Sequence, residues 1–151
     1  MVLFAADTTS PSVLYGLNDV LYSVGAVFDD LTIGVPGPES LDVRIVTADG
    51  RPFKLLSSIY IEPHASIDEV GHVDAVVICD MYSSINQPPT GAYPEVSAWL
   101  RRLHGEGALV ASVCSGSLVL AESGLLDGRE AATHWAYPKV RIKKDAVVCM
   151  T

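Results

Sequence analysis

The chain has 151 residues, of which 49% are hydrophobic and 19% charged, and a formal net charge of −8. That length buries the core of one domain without disulfide or metal staples, the composition excludes a disordered chain, and no apolar run reaches the ~20 residues of a membrane span. The acidic balance argues against this segment gripping nucleic acid by itself, because phosphate binding needs a basic face.

Val2–Ala5 opens the chain as a buried strand. It is short, lacks a basic flank and stops at Asp7, so it is not read as a signal peptide. Thr8-Thr9-Ser10 with Pro11 supplies a cap and a first-turn proline for a helix running to about Phe28. Val13, Leu14, Leu17, Val20, Leu21 and Val24 repeat there at helical spacing. After a loop at Gly34 to Pro38, Leu41–Thr47 is the next strand, ended by the Asp49-Gly50 turn. Phe53–Leu56 and Ile59–Glu62 read as a small hairpin stopped by Pro63. Val73–Cys79 is apolar except for Asp74, the pattern of a central parallel strand. The long loop from Asp80 to Tyr93, with Pro88, Pro89 and Gly91, is of the kind that carries function.

Pro94–His104 is a helix with Val96, Leu100 and Leu103 on its apolar face, ended by Gly105-Glu106-Gly107. Ala108–Val113 is another buried strand. It runs through Cys114-Ser115-Gly116 straight into a helix, Ser117 to Ser123, closed by Gly124. Short strands are expected at Glu130–Thr133, Val140–Ile142 and Ala146–Cys149. Residues 1–100 carry 13 acidic and 3 basic side chains, and residues 101–151 carry 5 and 7. The basic run from Lys139 to Lys144 alternates with Val140 and Ile142, which reads as the solvated face of a strand in preference to a DNA patch. Alternating strands and helices predict an α/β fold with a mostly parallel sheet. The chain ends on a strand with no helix to cover the sheet edge, so residues 1–151 are expected to be a single domain cut from a longer protein.

Three cysteines without an export signal point to reduced thiols and a cytoplasmic location. Cys79 and Cys149 follow aliphatic runs and read as small buried hydrophobes. Cys114 stands at a sharp strand-to-helix turn, at the carboxyl edge of the sheet where α/β ligand sites lie. The helix N-terminus there favours negative charge and should lower the thiol pKa, while Gly116 lets the backbone pack closely. His64, His72 and His104 have no metal-ligand spacing and read as surface residues, so neither metal nor cofactor is expected.

The run from Ala111 to Arg129, with Val113-Cys114-Ser115-Gly116-Ser117, followed by Ala132-Thr133-His134-Trp135-Ala136, resembles the PfpI-type branch of the class I glutamine-amidotransferase-like superfamily. It is most similar to the N-terminal domain of AraC-family (GlxA-type) transcription regulators and to isonitrile hydratases. Looser similarity covers Leu14 to Leu21 and Phe53 to Cys79. The resemblance implies a flavodoxin-like three-layer sandwich, a homodimer, and a pocket at the elbow cysteine.

Three departures bear on activity. The aspartate that isonitrile hydratases carry on the first helix falls on Val13. Their Pro-Gly-Gly turn, whose N–H groups can form an oxyanion hole, reads Asp80-Met81-Tyr82, and losing such donors costs ~3–4 kcal/mol of transition-state stabilisation. The histidine that follows the nucleophile in PfpI-type peptidases is Ser115. The expected function is therefore a non-catalytic ligand-sensing and dimerisation domain of an AraC-type regulator, with a small-molecule effector bound near Cys114, Ser115, Gly116, His134, Asp80 and, on the first helix, Tyr15 and Asn18. DNA would be reached only through a helix-turn-helix domain outside this segment.

His134 admits two readings, a pocket donor or a strand-end histidine satisfied by backbone; Asp80 is likewise an effector contact or a loop cap. Trp135 is expected at the pocket rim or in the core. The alternative function is a cysteine-dependent hydratase or hydrolase that recruits Asp80, Asp7 or Glu122, and a third is redox sensing through a Cys114 sulfenic acid. The family's segment of roughly a dozen residues before the next strand has no counterpart here, where Tyr137-Pro138 runs into Lys139.

Overall fold

A computed structural model describes residues 1–38, 40–86, 91–137 and the strand at 147–149. The expected strand at Val140–Ile142, the basic run at Lys139–Lys144, Pro88, Pro89 and the burial of Cys149 lie outside the described residues.

The apolar runs form parallel strands. β1 (Val2–Phe4), β2 (Arg44–Thr47), β5 (Ala65–Ser66), β6 (Ala75–Ile78) and β7 (Leu109–Ser112) make one sheet in the order β5-β2-β1-β6-β7, every pair parallel. Leu3 lies opposite Ile45 on one side and Val77 on the other. Because strand side chains alternate between faces, each run feeds two cores. Val2 and Phe4 of β1 and Val76 and Ile78 of β6 join Val96, Trp99, Leu100, Leu103, Val119 and Leu120. Those last residues belong to α3 (Pro94–Gly105) and α4 (Gly116–Glu122), which cover one face. On the other face Leu3, Ala5 and Cys79 meet Leu14, with Val13, Leu17 and Leu21 packed beside it, from α1 (Pro11–Tyr22). Leu55 and Ile61 reach the same cluster from around the antiparallel hairpin of β3 (Phe53–Lys54) and β4 (Tyr60–Ile61). The result is an α/β, flavodoxin-like layering of helices on both sides of a parallel sheet.

The first helix departs from expectation. It stops at Tyr22, and a second helix, α2 (Ala26–Ile33), follows. Gly25 sits between them at φ +86°, and a Cβ there would lie 2.3 Å from Ser40 Oγ and 2.5 Å from the Pro38 carbonyl, so only glycine makes this corner. Val20 and Val24, read as part of the buried face, are 66% and 42% exposed. β5 has no counterpart among the expected strands: it begins just after Pro63-His64 and pairs with β2 over only two residues. His64, just before it, is exposed as expected, but its Nδ1 accepts the Ile45 N–H at 2.7 Å while its own N–H donates to the Ile45 carbonyl at 2.8 Å. β8 (Glu130–Ala132) forms near the expected place and pairs with β9 (Val147–Cys149), apart from the main sheet. Among the described residues no helix is long and apolar enough to cross a membrane.

Candidate functional site

In a parallel sheet the carboxyl ends of the strands share one edge, and the loops leaving β1, β6 and β7 gather there. They enclose a cleft of about 490 Å³ lined by Ser10, Leu56, Asp80, Tyr82, Ser83, Ser84, Ile85, Asn86, Cys114, Ser115, His134, Trp135, Ala136 and Tyr137.

Cys114 joins β7 to α4 with φ +54°, one of two non-glycine residues in the left-handed region among the described residues. Such a conformation costs about 1–3 kcal/mol and persists only where the surroundings fix it. Here they do. Val113 N–H donates to the Ile78 carbonyl at 2.9 Å, Gly116 N–H to the Val113 carbonyl at 2.9 Å, and Ser117 Oγ to the Cys114 carbonyl at 2.7 Å. Gly116 lets α4 sit directly on β6: an added Cβ would stand 2.4 Å from the Cys79 carbonyl oxygen. Gly116 therefore serves packing and does not line the cleft, whereas the Cys114 thiol is exposed to it.

The loop after β6 forms one wall, and the Asp80 carboxylate and the Met81 and Tyr82 amides in it are committed to the fold. Ser10 donates twice to Asp80, from N–H to Oδ1 at 3.3 Å and from its hydroxyl to Oδ2. Met81 N–H donates to Ser115 Oγ at 3.1 Å, and Tyr82 N–H to the Thr8 carbonyl at 2.8 Å. On the opposite wall His134 Nδ1 accepts the Ala136 N–H at 3.2 Å, which leaves the hydrogen of a neutral ring on Nε2. Its ring lies 5.2 Å from Trp135 and 5.7 Å from Tyr137. Buried Tyr137 ties the two walls together by donating its hydroxyl to the Ser83 carbonyl at 2.5 Å.

The structure thus brings together Cys114, Ser115, Asp80 and His134 but leaves Tyr15 and Asn18 out of the lining. Trp135 is at the rim, 73% exposed, and not in the core. Among the described residues, Asp80 is the one carboxylate in the lining. Asp7 is exposed outside it, and Glu122 accepts the Gly91 N–H through both oxygens at 2.6 and 2.8 Å. Val13, on α1, is packed against the core. No hydrogen bond joins the Cys114 thiol to an imidazole or carboxylate, and no group of His, Cys, Asp and Glu suited to a metal occurs, among the described residues. Cys79, directly before Asp80, is fully buried; burial first, and then the Asp80 charge, push its thiol up to about 12.

Sequence reasoning missed Ser10, Leu56, Tyr82, Asn86 and Tyr137. Tyr137 carried a usable signal, an aromatic three residues beyond His134 in the same motif; Leu56 carried none, because only the tertiary fold brings the hairpin to this edge.

Residues 23–148 match the model of the DJ-1/PfpI family. Over 110 residues the chain is 27% identical to the HTH-type transcriptional regulator CdhR of Pseudomonas aeruginosa, covering 68% of this chain and 32% of the regulator. It therefore spans about a third of that relative's length. It is 31% identical over 97 residues to the isonitrile hydratase of Pseudomonas putida, covering 64% of this chain and 41% of the enzyme. In fold it matches the crystal structure of an AraC family transcriptional regulator from Pseudomonas putida with a TM-score of 0.74 at 17% identity, over 99% of this chain and 74% of that one. With a family model matched over most of its length and the same layering of helices on a parallel sheet, the chain belongs to the DJ-1/PfpI family.

Proposed function

We propose that residues 1–151 form the ligand-sensing and dimerisation domain of a cytoplasmic AraC-type transcription regulator, binding a small-molecule effector in the Cys114 cleft without turning it over. DNA contact would belong to a helix-turn-helix domain beyond this segment, consistent with a net charge of −8 here and with the regulator relative. One observation carries the reading: the thiol has no hydrogen-bonded imidazole or carboxylate among the described residues, and the Met81 and Tyr82 amides of the loop after β6 are already spent on Ser115 and Thr8. Turnover at a thiol needs an activating base and donors for the developing oxyanion. Recognition needs neither. Phe28, Leu31 and Ile33 of α2, 63%, 80% and 71% exposed, support a self-association surface through which an effector would bias two dimer arrangements.

A thermal-shift screen of small nitrogen-containing metabolites tests this. Hits should raise the melting temperature of the wild type and lose effect in Cys114→Ala; no compound acting at the cleft in either protein overturns the reading.

A second reading is a cysteine-dependent hydratase, favoured by the hydratase relative and by a strained, exposed Cys114 sharing its cleft with His134. It expects turnover of an isonitrile that disappears in Cys114→Ser. No turnover by the wild type removes it.

A further inference from the structure

Helix α1 opens with a serine whose hydroxyl is turned away from it. Ser10 is the N-cap residue, extended at φ −74° and ψ 124°, with Pro11 next, yet its side chain makes no capping bond. In that conformation a serine oxygen ordinarily accepts the N–H of the second or third helical residue. Here Ser12 N–H has no partner among the described residues, and Val13 N–H reaches only the Ser10 carbonyl, at 3.1 Å. Thr9 is no substitute, since its hydroxyl already accepts the Ala6 N–H at 3.1 Å. The Ser10 hydroxyl instead donates across the fold to Asp80, in the cleft wall.

We infer that Ser10 is a two-position switch linking occupancy of the cleft to α1. With the cleft free, the hydroxyl holds Asp80, the Ser12 amide stays open and Val13 N–H is held by the Ser10 carbonyl alone. When a ligand bearing an N–H or O–H donor engages Asp80, the hydroxyl is released and caps α1. A change of one staggered rotamer exchanges the two positions. Each satisfies one set of polar groups at the expense of the other, so a ligand with a donor for Asp80 has differential affinity for the two states, which is what coupling requires. The signal has a route. α1 packs Leu14, Leu17 and Leu21 on the sheet and leads through the Gly25 corner into α2 with its exposed Phe28, Leu31 and Ile33. The ligand half of this inference rests on the effector-site reading; the Ser10 geometry does not.

Amide hydrogen exchange at Ser12 and Val13, read by NMR on the ligand-free chain, tests the switch. Asp80→Ala frees the hydroxyl, so these two amides should exchange about five-fold more slowly than in Ser10→Ala/Asp80→Ala, the effect of one N-cap. Asp80→Asn, compared in the same way with its own Ser10→Ala double variant, covers the case in which Asp80→Ala fails to fold, with protection of Val76 to Ile78 as the folding control. Equal exchange with and without the hydroxyl in the Asp80 variants overturns the inference and means that Asp80 merely anchors the loop. Because no ligand is added, that failure would leave the effector reading standing, and an empty ligand screen would leave the switch standing.

Discussion

Alanine at Gly116 and alanine at Gly16 are the same chemical change with opposite expected signs. Both glycines are helical and neither has a positive φ. At Gly116 the new Cβ would lie 2.4 Å from the Cys79 carbonyl oxygen and 2.7 Å from that of Ile78, both backbone atoms at the end of β6. Neither can swing aside, so α4 must withdraw by about 1 Å to reach the 3.4 Å of ordinary contact. Overpacking of this kind costs about 1–3 kcal/mol. Withdrawal also strains the Met81-to-Ser115 bond at the same joint, worth about 0.5–1.5 kcal/mol, while replacing helical glycine returns about 0.5–1 kcal/mol. The net loss is about 2 kcal/mol, and the melting temperature should fall by about 4–8 °C in a domain of this size. At Gly16 nothing stands within 4 Å, so only the favourable part remains, about 0.5–1 kcal/mol and a rise of about 1–4 °C. Thermal unfolding followed by circular dichroism measures both. A Gly116→Ala protein melting at or above the wild type would mean that α4 is not seated on β6 as described, and the placement of Cys114 would go with it.

Ser115→Ala strands the buried Met81 N–H and should cost about 1–3 kcal/mol in urea unfolding, with Ser115→Thr recovering most of it because the oxygen is kept; an unchanged midpoint in Ser115→Ala would show the bond to be dispensable. Tyr137→Phe keeps the ring and drops the bond to Ser83, so the amides of residues 82–86 should exchange about 2–10-fold faster while those of β6 stay protected. Equal exchange in both loops would refute the clasp. Cys79 holds its proton up to about 12 in the fold and releases it near 9.0 when unfolded. Its contribution is therefore complete below pH 9 and is lost as pH rises toward 12, at up to ~1.4 kcal/mol per pH unit. The stability gap between wild type and Cys79→Ala should narrow from pH 8 to pH 10; a constant gap disproves the burial argument.

What could be read from the residues follows from the range of the forces involved. The mostly apolar runs Val73–Cys79 and Ala108–Val113 both become parallel strands, three and two residues shorter than expected. Val76 and Ile78 of β6 are buried, but β7, expected to be buried, stays partly accessible because it pairs with β6 alone at the sheet edge, with Leu109 68% exposed. The turn at Cys114 was legible because a strand, a small residue and a helix abut without linker, a purely local arrangement. Helix α1 was overextended because Val20 and Val24 keep the 3.6 period past Tyr22, and the corner at Gly25 is set by Pro38 and Ser40, which sequence spacing cannot bring near. β5 was invisible for a related reason: a two-residue edge strand has almost no period, and its pairing with Val46 and Thr47 is entirely non-local. Asp80 was singled out from the sequence and lines the cleft, but its partner Ser10 is 70 residues away. Asp80 and His134 each line the cleft while bonded to neighbouring backbone or hydroxyl groups.

That double commitment explains how an elbow built like a nucleophile's would serve recognition. In an enzyme the donors around the thiol must be idle in the ground state, so that the charge developing in the transition state is the first thing to claim them; each idle donor is worth about 10²–10³ in rate. Here the amide donors of Met81 and Tyr82 are engaged within the fold, as are the acceptors at both Asp80 oxygens and His134 Nδ1, which leaves His134 Nε2 as the ring nitrogen without a bond among the described residues. A reacting substrate would have to break one of these bonds to gain another, and the exchange returns little. A binding equilibrium has no such requirement, because a ligand that replaced the Ser10 hydroxyl on Asp80 would trade one hydrogen bond for another at nearly equal free energy and, under the proposed switch, would still change which state α1 adopts. On the sensing role proposed above, the bonds that would impede turnover are therefore the ones that would make the cleft responsive to what occupies it.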